Sequence, residues 1–327
     1  MKNINILILS AGRRVELIER FQRAKKSLKL EGNIVAVDIT DTAPAIYFAD
    51  KFYLIPRISE PEYIDSIIDV CVKENISLII PTIDTELLKL SENRKLIEAE
   101  TNAKVLLSDD KVIKICRNKN NTQRFFEESG FGVPKLLTNE DIEKGNFSFP
   151  LFIKPSNGSS SINTFKITNK KELDFFMEYI KNPMIQEFIE GTEYSVDVFC
   201  DFDSNPITIV PRIRLATRGG EIAKGQISRD REIINDVMRM LDILKPVGHI
   251  TIQCMKTKKG IEYIEINPRF GGGAPMSIDA GADSCENLYR LLLGEKLQYN
   301  EDYENDVMFV RFDNSISVNK AKEKRND

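Results

Sequence analysis

The sequence predicts a protein of two classes in series: an N-terminal α/β domain of the Rossmann-like kind, then a longer region of mixed α+β structure. Three observations predict it. Over about the first 110 residues, short apolar runs alternate with amphipathic stretches of helical period, as in a parallel sheet covered by helices. After Ser108 that alternation breaks into paired strands and isolated helices. A chain of 327 residues is also too long for one simple core.

Each element has its own signal. Asn3–Leu9 (NINILIL) is an unbroken apolar run, as expected for a strand buried on both faces. SAGRR then turns the chain. A helix is expected near Val15–Leu28, with Val15, Leu17, Ile18, Phe21 and Leu28 on one side. A second strand covers Asn33–Val37 and ends at Asp38. Glu62–Glu74 reads as a helix with Ile64, Ile67, Ile68 and Cys71 on one face. Leu78–Ile80 is a short strand stopped by Pro81, a helix runs near Thr85–Glu98, and a strand follows at Lys104–Leu107.

Beyond that point two short helices, Asp109–Cys116 and Asn120–Ser129, lead to a stop at GFGVP. Strands at Leu151–Lys154 and Asn163–Ile167 flank the loop SNGSSS. A helix at Lys170–Ile180 and a strand at Met184–Glu187 complete a small lobe. Glu193–Cys200 and Ile207–Leu215 pair as antiparallel strands, and Arg229–Leu244 is a helix. Ile250–Lys256 and Ile261–Ile266 form a hairpin turning at Lys258–Gly260. The charged end, NKAKEKRND, reads as frayed.

Composition narrows the function. The net charge is −4 and the pI near 5.5, which speaks against a nucleic-acid partner. No run approaches the roughly 20 apolar residues of a membrane helix, so no membrane partner is expected. The first apolar run is too short for a signal peptide, and five scattered cysteines fit a reducing interior; a cytoplasmic location is the expectation. There is one histidine, His249, at a strand start. A histidine-rich metal site within the chain is excluded, and a structural or binding role suits His249 better than a general base.

Four elements of the second half carry chemistry. Lys119 stands at a helix start, and Lys154 ends the strand FPLFIKP beside a small-residue loop. Such a loop (Ser156, Gly158, Ser159, Ser160) lets backbone amides approach phosphate oxygens. Glu187, Glu190 and Glu193 surround an apolar strand and turn, a setting for adenine and ribose. Glu265 and Asn267 lie two apart on one strand and so face one side, while Gln253 on the partner strand can add an oxygen; hard oxygens of this kind suit magnesium. Each feature alone has an ordinary explanation as a cap, a turn or a strand exit. Their order behind a Rossmann-like domain is what points to a nucleotide.

On SAGRRVEL, IPTIDTE, FIKPSNGSS, QEFIEGTEYSVDV and EINPRFGGGAP, the sequence resembles the ATP-grasp superfamily over about residues 3–312, most closely the single-module carboxylate ligases similar to half of a carbamoyl-phosphate synthase large subunit. The resemblance implies a Rossmann-like pre-ATP-grasp domain at 1–110 and a two-lobed ATP-grasp domain at 111–327, with a small lid lobe about 119–187 and a large lobe about 188–316. It also implies ATP with Mg2+, in two ions or with Mn2+ in its place. Lys119 and Lys154 would hold the phosphates, Glu187 and Ile189 adenine, and Glu193 ribose. Gln253, Glu265 and Asn267 would ligate metal, and Arg269 would sit at the reaction centre with Lys154 and Glu265. Gln253 departs from the glutamate of many relatives, and the phosphate loop is serine-rich rather than glycine-dense. Such relatives are often dimers, so a homodimer is the expectation.

The expected reaction activates a carboxylate as an acyl phosphate and passes it to an amine, releasing ADP and phosphate. Phosphoryl transfer of this kind is positioning plus electrostatics and needs no histidine. Arg13 of SAGRR, Asp84 and Glu86 of PTIDTE, Arg212, Arg214 and Arg218 of PRIRLATR, and the amides of Gly271 and Gly272 are candidates to touch the substrate; clustered arginines suggest an anionic one. A non-catalytic ATP-binding regulatory subunit and kinase-like chemistry ending at a phosphorylated acid are alternatives. A nicotinamide-dependent oxidoreductase would give Asp38 a ribose to bind, but SAGRR lacks the G-x-G-x-x-G turn.

Overall fold

The computed structural model describes residues 2–156 and 162–318. The N-terminal region folds as β1 (Asn5–Ile8), α1 (Val15–Ser27), β2 (Ile34–Asp38), β3 (Lys51–Leu54), α2 (Tyr63–Lys73), β4 (Ile76–Ile80), α3 (Asp84–Glu100) and β5 (Lys104–Val105). Its five strands are all parallel, in the order β3-β2-β1-β4-β5. Every residue of β1 and β2 is buried, the outcome expected when helices cover both faces. Strand order reverses between β1 and β4, and the crevice outside their carboxyl ends is where such sheets bind ligands. The SAGRR loop follows β1 and the Thr82–Asp84 turn follows β4, so both open there.

Next come α4 (Asp110–Arg117), α5 (Lys119–Glu128), α6 (Asn139–Lys144), β6 (Leu151–Pro155), β7 (Phe165–Ile167), α7 (Lys170–Tyr179) and β8 (Pro183–Glu187). The Asn118 side chain caps α5 by accepting from the amides of Asn120 and Asn121. β7, β6 and β8 form a small antiparallel sheet in that order. Leu151 and Ile153 point into its core, while Phe152 and Lys154 face the other way.

The remainder is β9 (Thr192–Cys200), β10 (Pro206–Arg218), β11 (Glu221–Ile227), α8 (Arg231–Leu244), β12 (Gly248–Thr257), β13 (Gly260–Asn267), α9 (Ala274–Asp279), α10 (Ser284–Leu292) and β14 (Met308–Val310). Six strands pair antiparallel as β13-β12-β9-β10-β11-β14. One face is apolar: Tyr194, Val196, Val198, Ile250, Ile252 and Cys254 pack on α8, together with Phe126 and Phe131. The opposite face is polar, and it makes the site.

Six elements lie outside the sequence expectations: β3, α6, β11, α9, α10 and β14. β3 is a mostly exposed edge strand, and β14 is three residues long, so neither shows a buried alternation. β11 carries Gly225, whose missing side chain admits Ile222 and the Met276 sulfur. α9 and α10 pack on α1, joining Phe21, Phe270, Ile278, Leu288 and Tyr289 in a core shared by the two regions. Arg20 and Arg23 of α1 reinforce that seam by pairing with Asp279 and Asp283. No helix among the described residues is long and apolar enough to cross a membrane.

Candidate functional site

The polar face follows from strand register. Ser195 lies opposite both Gln253 and Arg212; Asp197 lies opposite Thr251, Gln253 opposite Glu265, and Thr251 opposite Asn267. Side chains two apart along each strand share a face. Glu193, Ser195 and Asp197, with Arg212, Arg214, Thr251, Gln253, Met255, Glu265 and Asn267, therefore gather on one surface.

Two adjoining cavities lie over it. The larger holds about 400 Å³ and sits between the six-stranded sheet and the small sheet. Phe152, Pro134, Ile162, Phe188, Ile189, Met255 and Ile264 give it apolar walls, and Lys119, Lys154, Glu187 and Glu193 its charges. The smaller, about 170 Å³, is polar. It is bounded by Arg14, Thr82 and Asp84 from the N-terminal sheet and by Arg212, Thr251, Asn267, Arg269 and Gly271–Gly273 from the other side. Arg214, Gly220, Gln253 and Glu265 line both cavities and form their common wall.

Lys154 is buried, and that burial, with Lys119 adding to it, pulls its ammonium down to about 8 despite the favourable charge of Glu265. Lys119 is lowered for the same leading reason, burial. An anion entering this cavity would favour the charged form of both. Glu193 is raised by burial, although Arg214 Nε lies 2.9 Å away and opposes the rise.

In the small cavity, Arg269 Nη2 holds Asp84 Oδ2 at 2.6 Å and Asn267 Oδ1 at 3.2 Å, while Asn267 donates to Glu265 Oε1 at 2.9 Å. Beneath it Asp197 is fully buried and takes Arg212 Nη2 at 2.9 Å, Thr251 Oγ1 at 2.9 Å and Ser277 Oγ at 2.5 Å. Burial alone would raise that carboxyl; the Arg212 guanidinium, with His249 and Ser277 adding to it, outweighs burial and holds Asp197 well below the usual range. His249 stacks on Phe270, with Nδ1 3.0 Å from Ser284 Oγ and Nε2 3.7 Å from Asp197. It belongs to this foundation and lines neither cavity, in keeping with a structural role.

Four sequence-derived candidates need correction. Arg13 does not line either cavity: its guanidinium is exposed and faces Asp313 at 3.5 Å, and Arg14 is the SAGRR arginine that enters. Glu86 is wholly buried and saturated by Ser10 Oγ, Tyr63 OH and the amides of Thr82 and Ile83, so it fixes the turn after β4 and cannot meet a substrate. The Ser156 amide donates to the Asn182 carbonyl and is not open to a phosphate. Arg218 pairs with Asp313 outside the cavities. Gly158, Ser159 and Ser160, and the NKAKEKRND end, lie outside the described residues.

Ser195, Asp197, Thr251, Glu221 and Met255 were not anticipated in the site, and Arg14 only as part of the SAGRR loop. The odd-numbered alternation Glu193-Ser195-Asp197 was available in the sequence as a signal for two of them. As a donor set, one carboxylate (Glu265) with two amide oxygens (Gln253, Asn267) suits a hard divalent cation that brings further oxygens from phosphate and water. Among the described residues no cluster of three or more His, Cys, Asp or Glu side chains holds a metal by itself.

Comparison with known proteins agrees with this architecture. The PylC-like N-terminal domain family matches residues 6–106, and the ATP-grasp domain family matches residues 116–273. A carbamoyl-phosphate synthase of Methanobrevibacter smithii is 24% identical over 154 residues, 46% of this chain and 41% of that protein. The chain thus matches less than half the length of that relative. A 3-methyl-D-ornithine–L-lysine ligase of Methanosarcina acetivorans is 23% identical over 278 residues, 84% of this chain and 70% of the relative. Among solved structures, the biotin carboxylase domain of Hydrogenobacter thermophilus 2-oxoglutarate carboxylase superposes with a TM-score of 0.73 at 19% identity, covering 93% of this chain and 73% of the other. An L-amino acid ligase of Bacillus licheniformis gives 0.69 at 17%, covering 89% and 75%. At these identities the superpositions establish the fold. The chain thus joins a PylC-like N-terminal domain, residues 6–106, to an ATP-grasp domain, residues 116–273.

Proposed function

We propose that this chain is an ATP-dependent carboxylate–amine ligase of the ADP-forming kind. The observation that carries the reading is the common wall. Glu265 and Gln253 stand between an apolar cavity with one buried and one half-buried lysine and a polar cavity rich in arginine. Adenine would fill the apolar slot against Glu187 and Ile189, Glu193 would take ribose, and Lys119 and Lys154 would meet the phosphates. The acid would occupy the polar cavity, its carboxylate beside Arg269 and the γ-phosphate at the wall.

Magnesium, or Mn2+ in its place, in two ions or one, would be held by Glu265, Asn267 and Gln253 and would neutralise phosphate charge. The protein's own part is to line up acid and phosphate, exclude water and offer guanidinium and ammonium charge where negative charge grows. An amine then attacks the acyl phosphate and phosphate leaves. We assign the Rossmann-like domain to 1–110 and the ATP-grasp domain to 111–327, with a lid lobe about 119–187 and a large lobe about 188–316. The partners are small molecules, and the chain acts as a homodimer in the cytoplasm.

The test is magnesium-dependent release of ADP and phosphate against a panel of acids with and without amines, amino acids first. Glu265→Gln should lower turnover at least about 100-fold. AMP and pyrophosphate as products would overturn the acyl-phosphate scheme, and a protein that binds no ATP would overturn the reading altogether.

A further inference from the structure

The run Gly271-Gly272-Gly273 has no room for side chains, and what fills the room is informative. A Cβ on Gly272 would stand 2.9 Å from Arg14 Nη1, and one on Gly273 would stand 2.6 Å from Arg212 Nη2. Two guanidiniums, one from each region of the chain, thus press on neighbouring glycines in one small polar cavity. Neither is fully used. Among the described residues Arg14 reaches only the Thr82 carbonyl at 3.5 Å and Glu221 at 3.5 Å, both at the long limit of a useful contact. Arg212 spends Nε and Nη2 on Asp197 but, among the described residues, leaves Nη1 buried with no hydrogen-bond partner.

Buried donors without partners are costly, and like charges gathered in a cavity are costlier. Burial first, and Arg269 second, pull the Arg14 guanidinium below its ordinary value. The carboxylates Glu221 and Asp84 relieve this only in part. Asp84 is held by Arg269, and Glu221 is shared between Arg14 and Arg311. What the Arg14 and Arg212 wall lacks is an anion, and Arg269 already serves the reacting carboxylate on the other wall.

We propose that Arg14 and Arg212 form a second anion subsite, so that the acid substrate carries two anionic groups: the carboxylate to be activated and a further carboxylate or phosphate. This rests on the ligase reading for which group reacts, though not for the binding itself. Charge-assisted bonds from two guanidiniums give planar recognition that a neutral substituent cannot satisfy.

The experiment is calorimetric titration of the whole chain, without nucleotide, with acids matched in size: glutarate against butyrate, and 3-phosphoglycerate against glycerate. The first pair tests a carboxylate and the second a phosphate. The doubly anionic member of at least one pair should bind at least about tenfold more tightly. Arg14→Met should reduce that preference to less than about threefold, as should Gly273→Ala, which displaces the Arg212 guanidinium. Arg14 is partly exposed at the rim, so its variant reports even if Gly273→Ala fails to fold. Equal binding within both pairs, or a preference that survives Arg14→Met, overturns the proposal. Mg-ATP titrated in parallel reads the larger cavity: a preference for the diacid with no nucleotide binding would sink the ligase reading and leave the anion subsite standing.

Discussion

The two cavities hold cations by opposite means. In the larger, Lys154 is a buried ammonium and Lys119 a half-buried one, and burial disfavours the charged form of both. In the smaller, Arg212 and Arg269 are guanidiniums braced by Asp197 and Asp84 at 2.9 and 2.6 Å. A lysine can release its proton while its site is empty; an arginine keeps its charge. Filling the first cavity therefore favours the charged form of its lysines, and the second is charged and oriented beforehand. That division suits a common nucleotide on one side and a selected acid on the other.

The strongest way to break the comparison is to remove the brace. Asp197→Ala would leave Arg212 charged and unpaired in the interior, and urea unfolding should show a loss of about 3–5 kcal/mol. A loss below ~1 kcal/mol would mean that Arg212 is not held as described. The contrast in pH response comes next. Lys154 titrates lower in the folded chain than in the unfolded one, so the unfolded chain binds more protons between about 8 and 10.5. Its cost to stability is complete below pH 8 and lifts as pH rises through that window. Nucleotide affinity should move the other way, weakening by up to about tenfold per pH unit above 8, because the phosphates need the ammonium. A nucleotide Kd flat from pH 7 to 10 would contradict the burial of Lys154. Glu265→Gln sharpens this: with the favourable carboxylate gone, the midpoint should shift downward. The smallest effect concerns Arg13. Arg13→Ala should change stability by less than about 0.5 kcal/mol and leave the KM of the acid in place, since its side chain faces solvent.

Much of this architecture was legible. The parallel sheet announced itself through NINILIL and NIVAV, which are apolar without alternation because both faces are covered. Lys119, Lys154, Glu187, Glu193, Gln253, Glu265 and Arg269 were singled out as residues, and all line the two cavities. What sequence could not separate was neighbours of one type. Arg13 and Arg14 are adjacent, and only the turn after β1, with Gly12 at φ +48°, decides which enters the crevice. Glu86 reads as a reactive carboxylate until its four donors are seen. Asp197 and Thr251 come from strands over 50 residues apart, and no local pattern ties them to Arg212. Long-range register made that group.

One residue of that foundation has a practical consequence. His249 is the chain's sole imidazole, buried 3.7 Å from Asp197 and stacked on Phe270 just after the strand that carries Glu265. In a proton spectrum its ring resonances would stand alone, with no second histidine to confuse them. Without labels or mutations, the protein carries its own beacon under the acid cavity, and its chemical shift should respond when that cavity fills.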